Sequence, residues 1–322
     1  MEDTEENIAN GMVDDNVSAE AERLRDAIRS YAINTLGFSA IGFAKADKVS
    51  DDQAQALRRW LDEGDNANMK YMENWYEKRV DPRLLMPGLK TIVSVALNYA
   101  PAHRLPEGEP QISAYALGKD YHDIVKGKLF QLAEAIQNHE CYRVFVDTGP
   151  VLERYWAVQA GLGWIGKNHQ LIIPHAGSMF FLGELFLDIA LPYDKPMQSL
   201  CGRCHRCIDA CPTGALNTVQ SFDASKCLSY QLIENRGELS EGAKEKMGDM
   251  FYGCDRCQTA CPWNRFAKPN NTPELQPSDE LLHMTREKWH HLTEEDYRRL
   301  FKGSAIKRAK YSGLMRNIDN LE

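Results

Sequence analysis

The stretch Cys201-Gly-Arg-Cys204-His-Arg-Cys207-Ile-Asp-Ala-Cys211-Pro212 decides how the chain is read. Its Cys-x2-Cys-x2-Cys-x3-Cys-Pro spacing is that of a bacterial ferredoxin cluster run. A second run, Cys254-Asp-Arg-Cys257-Gln-Thr-Ala-Cys261-Pro262, lacks its first member, because Phe251 stands where that cysteine is due. A lone Cys227 lies between the runs. Eight of the nine cysteines are thereby used, the number that two [4Fe–4S] clusters need, and Cys141 is left over. Three cysteines at x2 spacing wrap one cluster in a tight loop, and the fourth, just before proline, reaches the other. Cluster one is then Cys201, Cys204, Cys207 and Cys261. Cluster two is Cys211, Cys227, Cys254 and Cys257, with Cys227 filling the missing place. Thiolates suit iron because they are soft, anionic ligands. Zinc ribbons also use Cys-x2-Cys pairs, but two Cys-Pro endings at x3 spacing are a ferredoxin habit. Cys141, beside an apolar strand, reads as a buried structural thiol.

The 322 residues carry 38 Lys+Arg against 46 Asp+Glu, and 43% are hydrophobic, an ordinary globular composition. No apolar run approaches the length of a helical membrane span. Met1 to Glu20 holds seven acids and no Lys or Arg, the wrong charge for a secretory signal. A cytoplasmic, reducing compartment is expected, where cysteines serve metals before disulfides. Without those seven acids the net charge of −8 falls to −1, so residues 1–18 read as an acidic disordered tail. At the other end, Arg298, Arg299, Lys302, Lys307, Arg308, Lys310 and Arg316 follow one another with no acid between them, a face suited to a polyanion.

Helical spacing runs from Ala19 to Leu36 and stops at Gly37. Ser39 to Ala44 reads as a short buried strand, Ala54 to Leu61 as a helix, and Thr91 to Ala100 as a buried, β-branched strand. An amphipathic helix is expected over Ile124 to Asn138. Tyr142 to Val146 reads as a strand delivering Asp147 at its end, Pro150 to Ala160 as a helix, and Leu171 to Pro174 and Met179 to Leu191 as strands. The fold class is α+β. An α/β-type domain spans 19–197, a ferredoxin-like two-cluster domain 198–267, and a linker (Lys268 to Asp279) with a basic helical tail 268–322. A pure electron carrier needs only the cluster part. Here a whole domain precedes it, so the clusters are expected to feed chemistry housed there.

The segment Val146 to Asn168 contains Gly161-x-Gly163-x-x-Gly166, formally a dinucleotide fingerprint. The glycines, however, end a helix where the fingerprint should open one, and Trp164 would crowd a pyrophosphate. The other reading is a glycine loop that lets backbone approach a large, amide-rimmed cofactor. Asp147 has two readings. An Asp before a helix is ordinarily an N-cap. The sharper reading is a carboxylic acid at the mouth of a cofactor site, its pKa raised by burial. Glu153 and Glu184 are the fallback acids. Asp120-Tyr121-His122 suggests the Asp-x-His-x-x-Gly corrinoid motif, but position 125 is Val, so His122 reads as a hydrogen-bonding or surface residue.

Asp147-Thr-Gly-Pro-Val-Leu-Glu-Arg154, Ala160-Gly-Leu-Gly-Trp-Ile-Gly-Lys-Asn168, the two cluster runs with Cys227, and Phe301-Lys-Gly-Ser-Ala-Ile-Lys-Arg308 together resemble the epoxyqueuosine reductases. Lys78-Arg-Val-Asp-Pro82 and Tyr115-Ala-Leu-Gly-Lys-Asp-Tyr-His122 fit as well, and the resemblance covers roughly residues 20 to 318. It implies a tRNA-modifying enzyme that uses cobalamin and two [4Fe–4S] clusters. The reaction removes the epoxide oxygen of epoxyqueuosine at the tRNA wobble position, giving queuosine. The resemblance further implies a nitroreductase-like first domain, Asp147 as proton donor, and cobalamin held base-off with no histidine below cobalt. By motif position, Arg79, Tyr115, Asp147, Gly166, Lys167, Asn168, Ser178, Ser229 and Tyr230 are expected cobalamin contacts. Lys302, Lys307, Arg308 and Lys310 are expected tRNA contacts. The partners implied are a tRNA anticodon stem-loop and an electron donor of flavodoxin or ferredoxin type, with the protein a monomer. Three departures stand out. Longer members continue into a helical-repeat domain, whereas this chain stops shortly after Arg316-Asn317. Gly64 to Met69 differs from the Gly-bearing version common in relatives, and Ala114 stands where a basic residue is frequent. Two rival readings remain. Reductive dehalogenases share corrinoid and paired clusters but usually carry a twin-arginine export signal, against which the acidic start argues. The other rival is a non-catalytic electron carrier or RNA-binding module.

Overall fold

The computed structural model describes residues 3–136, 139, 141–216 and 222–321, the side chains of 3–18 excepted. Its first half runs α1 (Asp3–Asn34), β1 (Ala40–Lys45), α2 (Asp51–Asp62), α3 (Tyr76–Val80), β2 (Thr91–Asn98), β3 (Gln111–Ile112), α4 (Tyr121–Ala135), β4 (Tyr142–Phe145), α5 (Glu153–Gln159), β5 (Trp164–Ile165), β6 (Leu171–Ile172) and β7 (Phe180–Leu187). The second half holds α6 (Arg206–Asp209), α7 (Leu228–Ile233), α8 (Glu241–Lys246), β8 (Met250–Tyr252), α9 (Arg256–Thr259), α10 (Asp279–Leu282), α11 (Arg286–His290), α12 (Glu294–Leu300) and α13 (Lys310–Ile318).

A four-stranded antiparallel sheet, ordered β1-β2-β7-β4, organises the first half. Successive side chains of a strand point to opposite faces. Val93, Val95 and Leu97 of β2 accordingly pack with Ile28 and Ala32 of α1 and Leu129 and Leu132 of α4. Ile92 and Ala96 pack on the other face with Trp156 and Ala157 of α5. Both faces are covered, which is why β2 reads as a continuous apolar run. Each such fully buried side chain contributes about 1.5–3 kcal/mol. The class is α+β, as expected.

A second core joins distant parts of the chain. Phe251, Trp289, Phe301, Ile306, Leu314 and Ile318 pack with Leu105, Ile112 and Leu117. Asn317 is fully buried and donates to the carbonyls of Leu232 and Phe251, both at 2.8 Å. β3 pairs parallel with β8. Residues 268–322 are therefore built into the body of the protein and do not hang from it as a linker and tail. Even the Pro- and Asn-rich stretch is strapped down, with the Asn270 amide NH donating to the Ala100 carbonyl at 2.8 Å and Leu275 buried.

Several local expectations shift. α1 is helical from Asp3, within the stretch read as a disordered tail; its described side chains become buried only at Ile28. α4 starts at Tyr121 because the Asp120 carboxylate caps it, accepting from the His122 amide at 3.1 Å. The expected end of that helix, at 137 and 138, lies outside the described residues. Cys141 is exposed, not buried, because it precedes β4 at the sheet edge, where its amide donates to Asp188. Among the described residues no helix is long and apolar enough to cross a membrane.

Candidate active site

β4 ends in a tight turn, and the residue that makes it is Asp147, with a left-handed φ of 55°. Asp tolerates that region better than most residues. Here it is held there, because the Asp147 amide donates to Glu153 Oε1 at 2.6 Å from the first turn of α5. The N-cap of α5 is Leu152, so Asp147 is not a cap. The turn instead swings its carboxyl towards the first turn of α4. Tyr121 donates its hydroxyl to Asp147 Oδ2 at 2.7 Å, and His122 Nε2 lies 3.2 Å from the same oxygen. His122 Nδ1 meets Asp120 Oδ1 at 2.6 Å. The Tyr121 ring is stacked between His122 and Phe181, with centroids 4.1 and 4.2 Å away.

The charges follow from this geometry. Burial pulls His122 down, but its bonds to Asp120 and Asp147 outweigh burial and push its pKa up to about 9. The bond from His122, assisted by Tyr121, holds the Asp147 carboxyl below the usual range. Its side chain is 61% exposed. The burial-raised acid expected at 147 is thus absent there, because the carboxyl faces solvent and a cation. Burial acts on the fallback acids instead. It pushes Glu153 up to about 8 and Glu184 well above its ordinary value. Glu184 is fully buried against Ser94 Oγ at 2.6 Å, and its Oε1 has no hydrogen-bond partner.

The glycine motif is a packing device. Gly161 ends α5 with φ 75°, and a Cβ on Gly163 would fall on the Ile172 carbonyl oxygen of the β5–β6 hairpin. Trp164 is 2% exposed between them. No helix opens at these glycines, so the dinucleotide reading fails.

The eight cysteines form two groups. Cys201, Cys204, Cys207 and Cys261 wall a cavity of about 120 Å³, closed by Trp263 and Ile172. The Cys257 thiol is pushed up by burial and by its neighbours Cys254, Cys227 and Cys211, the other quartet. Among the described residues, no three or more His, Cys, Asp or Glu side chains converge to hold a single metal ion. Thiols spread around a cavity suit a multi-atom cluster better than one zinc ion.

The expected cobalamin contacts divide. Lys167 Nζ donates to the carbonyls of Gly202 and Cys204 at 2.8 and 3.0 Å, and Asn168 to that of Cys257 at 3.4 Å. Ser178 is tied to Gln258 and Asn264, and Gly166 packs on Ile172. These four belong to the seam with the cluster loops. Tyr115 lies edge-on to Tyr121, centroids 6.2 Å apart. Tyr230 accepts the Asn68 amide at 3.2 Å, and Ser229 is its neighbour on α7. Arg79 is buried, donating to the carbonyls of Tyr71 and Asn74.

Of the expected tRNA contacts, Lys302, Lys307 and Lys310 are exposed. Arg308 is already engaged, in two bonds of 2.7 Å to Glu234 and over the Tyr71 ring. The lysine loop is tied to the head of α4, where the Asp120 amide donates to the Gly303 carbonyl at 2.7 Å. Sequence reasoning missed Asp120 and Tyr121 as site residues. Their signal was present, a capping Asp before two aromatic residues at a helix start.

Comparison with known proteins agrees with this geometry. Residues 79–148 match the family described as Epoxyqueuosine reductase QueG, DUF1730, and residues 200–264 the 4Fe-4S double cluster binding domain. The epoxyqueuosine reductase of Cellulophaga algicola is 44% identical over 304 residues, covering 94% of this chain and 99% of that one. The Escherichia coli protein of the same name is 38% identical, covering 92% and 80%. A crystal structure of epoxyqueuosine reductase with an epoxyqueuosine-modified tRNA-Tyr stem loop superposes with a TM-score of 0.83 at 30% identity, covering 92% of this chain and 80% of that chain. The Bacillus subtilis enzyme, solved with its catalytic aspartate loop swung out of the active site, gives 0.82 at 30% identity with the same coverage. On these relatives, the chain belongs to the epoxyqueuosine reductase family.

Proposed function

We propose that this protein reduces epoxyqueuosine in tRNA to queuosine, with Asp147 as the proton donor. The observation that carries the reading is the Asp147 elbow: an exposed carboxyl fixed by Tyr121, His122 and Glu153 in a chain that also holds two cysteine quartets. Converting the epoxide to an alkene takes two electrons and two protons, and the oxygen leaves as water. Each cluster passes one electron at a time. Cobalamin, when bound, supplies a low-valent, nucleophilic metal for the electron-demanding step. The residues present fit it. Both ring nitrogens of His122 are engaged, so no imidazole is offered to cobalt at this site. Tyr115, Ser229 and Tyr230 are assigned to its rim, with Arg79 bracing the 71–74 loop. Covering Asp147 with substrate removes water from its open oxygen and raises its pKa. His122, cationic at neutral pH, supplies the proton through the Nε2–Oδ2 contact.

Lys302, Lys307 and Lys310 are assigned to tRNA phosphates, beside the mouth that a single unstacked base must enter. A tRNA substrate places the protein in the cytoplasm, where a carrier of flavodoxin or ferredoxin type is the electron source and the protein acts as a monomer. The test is an anaerobic assay of the cofactor-loaded protein with chemical reductant and epoxyqueuosine tRNA, read by nucleoside mass spectrometry. Wild type should remove one oxygen mass, dependent on cobalamin. Asp147→Asn should bind both cofactors, by absorbance, and not turn over; normal turnover by that variant sinks the proton-donor assignment.

A further inference from the structure

An open cleft of about 420 Å³ lies against cluster one, walled by Cys261, Pro262 and Asn264 and lined by Arg104, Arg206 and Arg265. It plays no part in the chemistry at Asp147. Arg206 and Arg265 are exposed, and among the described residues neither pairs with a carboxylate. Arg265 rests over the Phe266 ring at 4.6 Å. The Arg104 side chain is 50% exposed, and its nearest carboxylate, Asp255, is 4.0 Å away. Asp255 is itself buried and already accepts from Ser113 and the Ala114 amide. The exposed acid on α6, Asp209, is bonded to His205. Arg203 adds a further exposed cation in the loop between Cys201 and Cys204. This concentration of unpaired guanidinium groups sits on a protein whose net charge is −8. A cleft of one sign steers a partner of the opposite sign and orients it.

The two quartets are not equivalent with respect to this cleft. The cluster-two loop faces inward: Cys254 packs with Tyr115, and a Cβ on Gly253 would touch the Tyr115 ring. Tyr115 in turn borders Tyr121, which holds Asp147. α6 and α9, carrying Cys207 and Cys257, pack together between the quartets. Cluster one, through Cys261, opens onto the cleft.

We infer that the arginine-lined cleft beside Cys261 docks an acidic one-electron carrier protein, and that cluster one is the port through which electrons enter. The inference rests on the proposed redox reading of the clusters. Each docking moves one electron: a flavodoxin hydroquinone becomes the semiquinone, and an oxidised [4Fe–4S]2+ cluster becomes 1+. Two dockings serve one epoxide. An RNA reading of the cleft is less favoured, because the free lysines beside Asp147 lie elsewhere and the cleft touches a cluster ligand.

The experiment is anaerobic stopped-flow reduction of the cluster-loaded protein by flavodoxin hydroquinone, followed at the cluster absorbance, for wild type and the triple variant Arg104→Gln, Arg206→Gln, Arg265→Gln. The triple variant should be reduced about tenfold more slowly at low salt. The difference should vanish as ionic strength rises, while reduction by the small methyl viologen radical and the iron content stay unchanged. Arg265→Glu alone, on the surface, is the second variant and should also slow the flavodoxin reaction, which keeps the test valid if the triple variant folds poorly. Wild-type flavodoxin rates in both variants overturn the inference. So does loss of tRNA affinity with carrier reduction intact, which would make the cleft an RNA surface. Cluster reduction is read without tRNA, so failure of the proposed epoxide chemistry would show separately, as reduced clusters with an unchanged nucleoside.

Discussion

Replacing Asp120 by Asn tests whether His122 stores the proton that Asp147 delivers. Asn caps a helix as well as Asp does, so the head of α4 should survive. The change removes one of the two carboxylates on His122, the closer and more sheltered one: Asp120 Oδ1 is 2.6 Å from Nδ1 and its side chain is 29% exposed, against 61% for Asp147. A hydrogen bond to a charged group contributes about 1.5–3 kcal/mol, or about 1–2 pKa units. His122 should therefore fall from about 9 to about 7–8 in the variant. Lys307 near Asp120 and Arg154 near Asp147 act on the two carboxylates and remain in place. At pH 8 the imidazolium population drops from about nine-tenths to between about a tenth and a half.

The assay is single-turnover conversion of epoxyqueuosine tRNA from pH 6 to 10, with cluster reduction checked at each pH. Wild type should hold its rate to about pH 8 and lose it through about 9; in Asp120→Asn the alkaline limb should move down by one to two units. The sign is fixed by the direction of the shift. A histidine raised in the folded state is charged, and its pairing stabilises the fold, below its unfolded pKa; both are lost as pH rises through the folded value. A wild-type profile with no limb between 8 and 10, or a variant limb that stays near 9, would refute the proton-store reasoning.

Three further outcomes are expected. Glu153→Ala should release the Asp147 elbow, losing a charge-assisted bond that contributes about 1.5–3 kcal/mol and cutting turnover at least tenfold. Glu153→Gln keeps an acceptor and should recover most of that loss, in the same nucleoside assay. Cys227→Ser should halve the iron bound per chain and leave one cluster's absorbance, whereas an unchanged iron content would remove Cys227 from the ligand set. Each Gln substitution at Lys302, Lys307 or Lys310 should lower the slope of log Kd against log salt for tRNA by about 0.7–0.9, read by filter binding.

What could be read from the sequence was what is local. Cluster ligands follow from spacing alone, since a loop of x2 cysteines closes on a cluster whatever surrounds it. β2 and β7 could be read because burial on both faces leaves an uninterrupted apolar run. What could not be read depends on partners remote in sequence. β3 is two residues long and exists because β8 lies beside it, more than a hundred residues on. The segment 268–322 looks like a linker by composition, yet Asn270 and Asn317 anchor it through carbonyls that no local pattern announces. The three glycines matched a phosphate-binding pattern because a hairpin crossing close over Ile172 has the same need for missing Cβ atoms.

The ionisation of Asp147 is the point where sequence reasoning went wrong, and the reversal has a physical sense. Burial would have kept the acid protonated at all times. The structure leaves it open, ionised and bonded to a cation, with the raised pKa values displaced to Glu153, Glu184 and His122. An acid of that kind is loaded only when something covers it. Closing its open oxygen with a substrate weakens solvation of the carboxylate, and the proton held 3.2 Å away on His122 can then cross. Protonation is thereby coupled to occupancy: with no substrate in place the proton stays on the imidazole, whose second nitrogen is pinned by Asp120 and whose ring is stacked on Tyr121. A permanently protonated carboxylic acid beside a strong reductant would offer its proton whether or not an epoxide was present. An open aspartate backed by a charged histidine offers it only to a bound one.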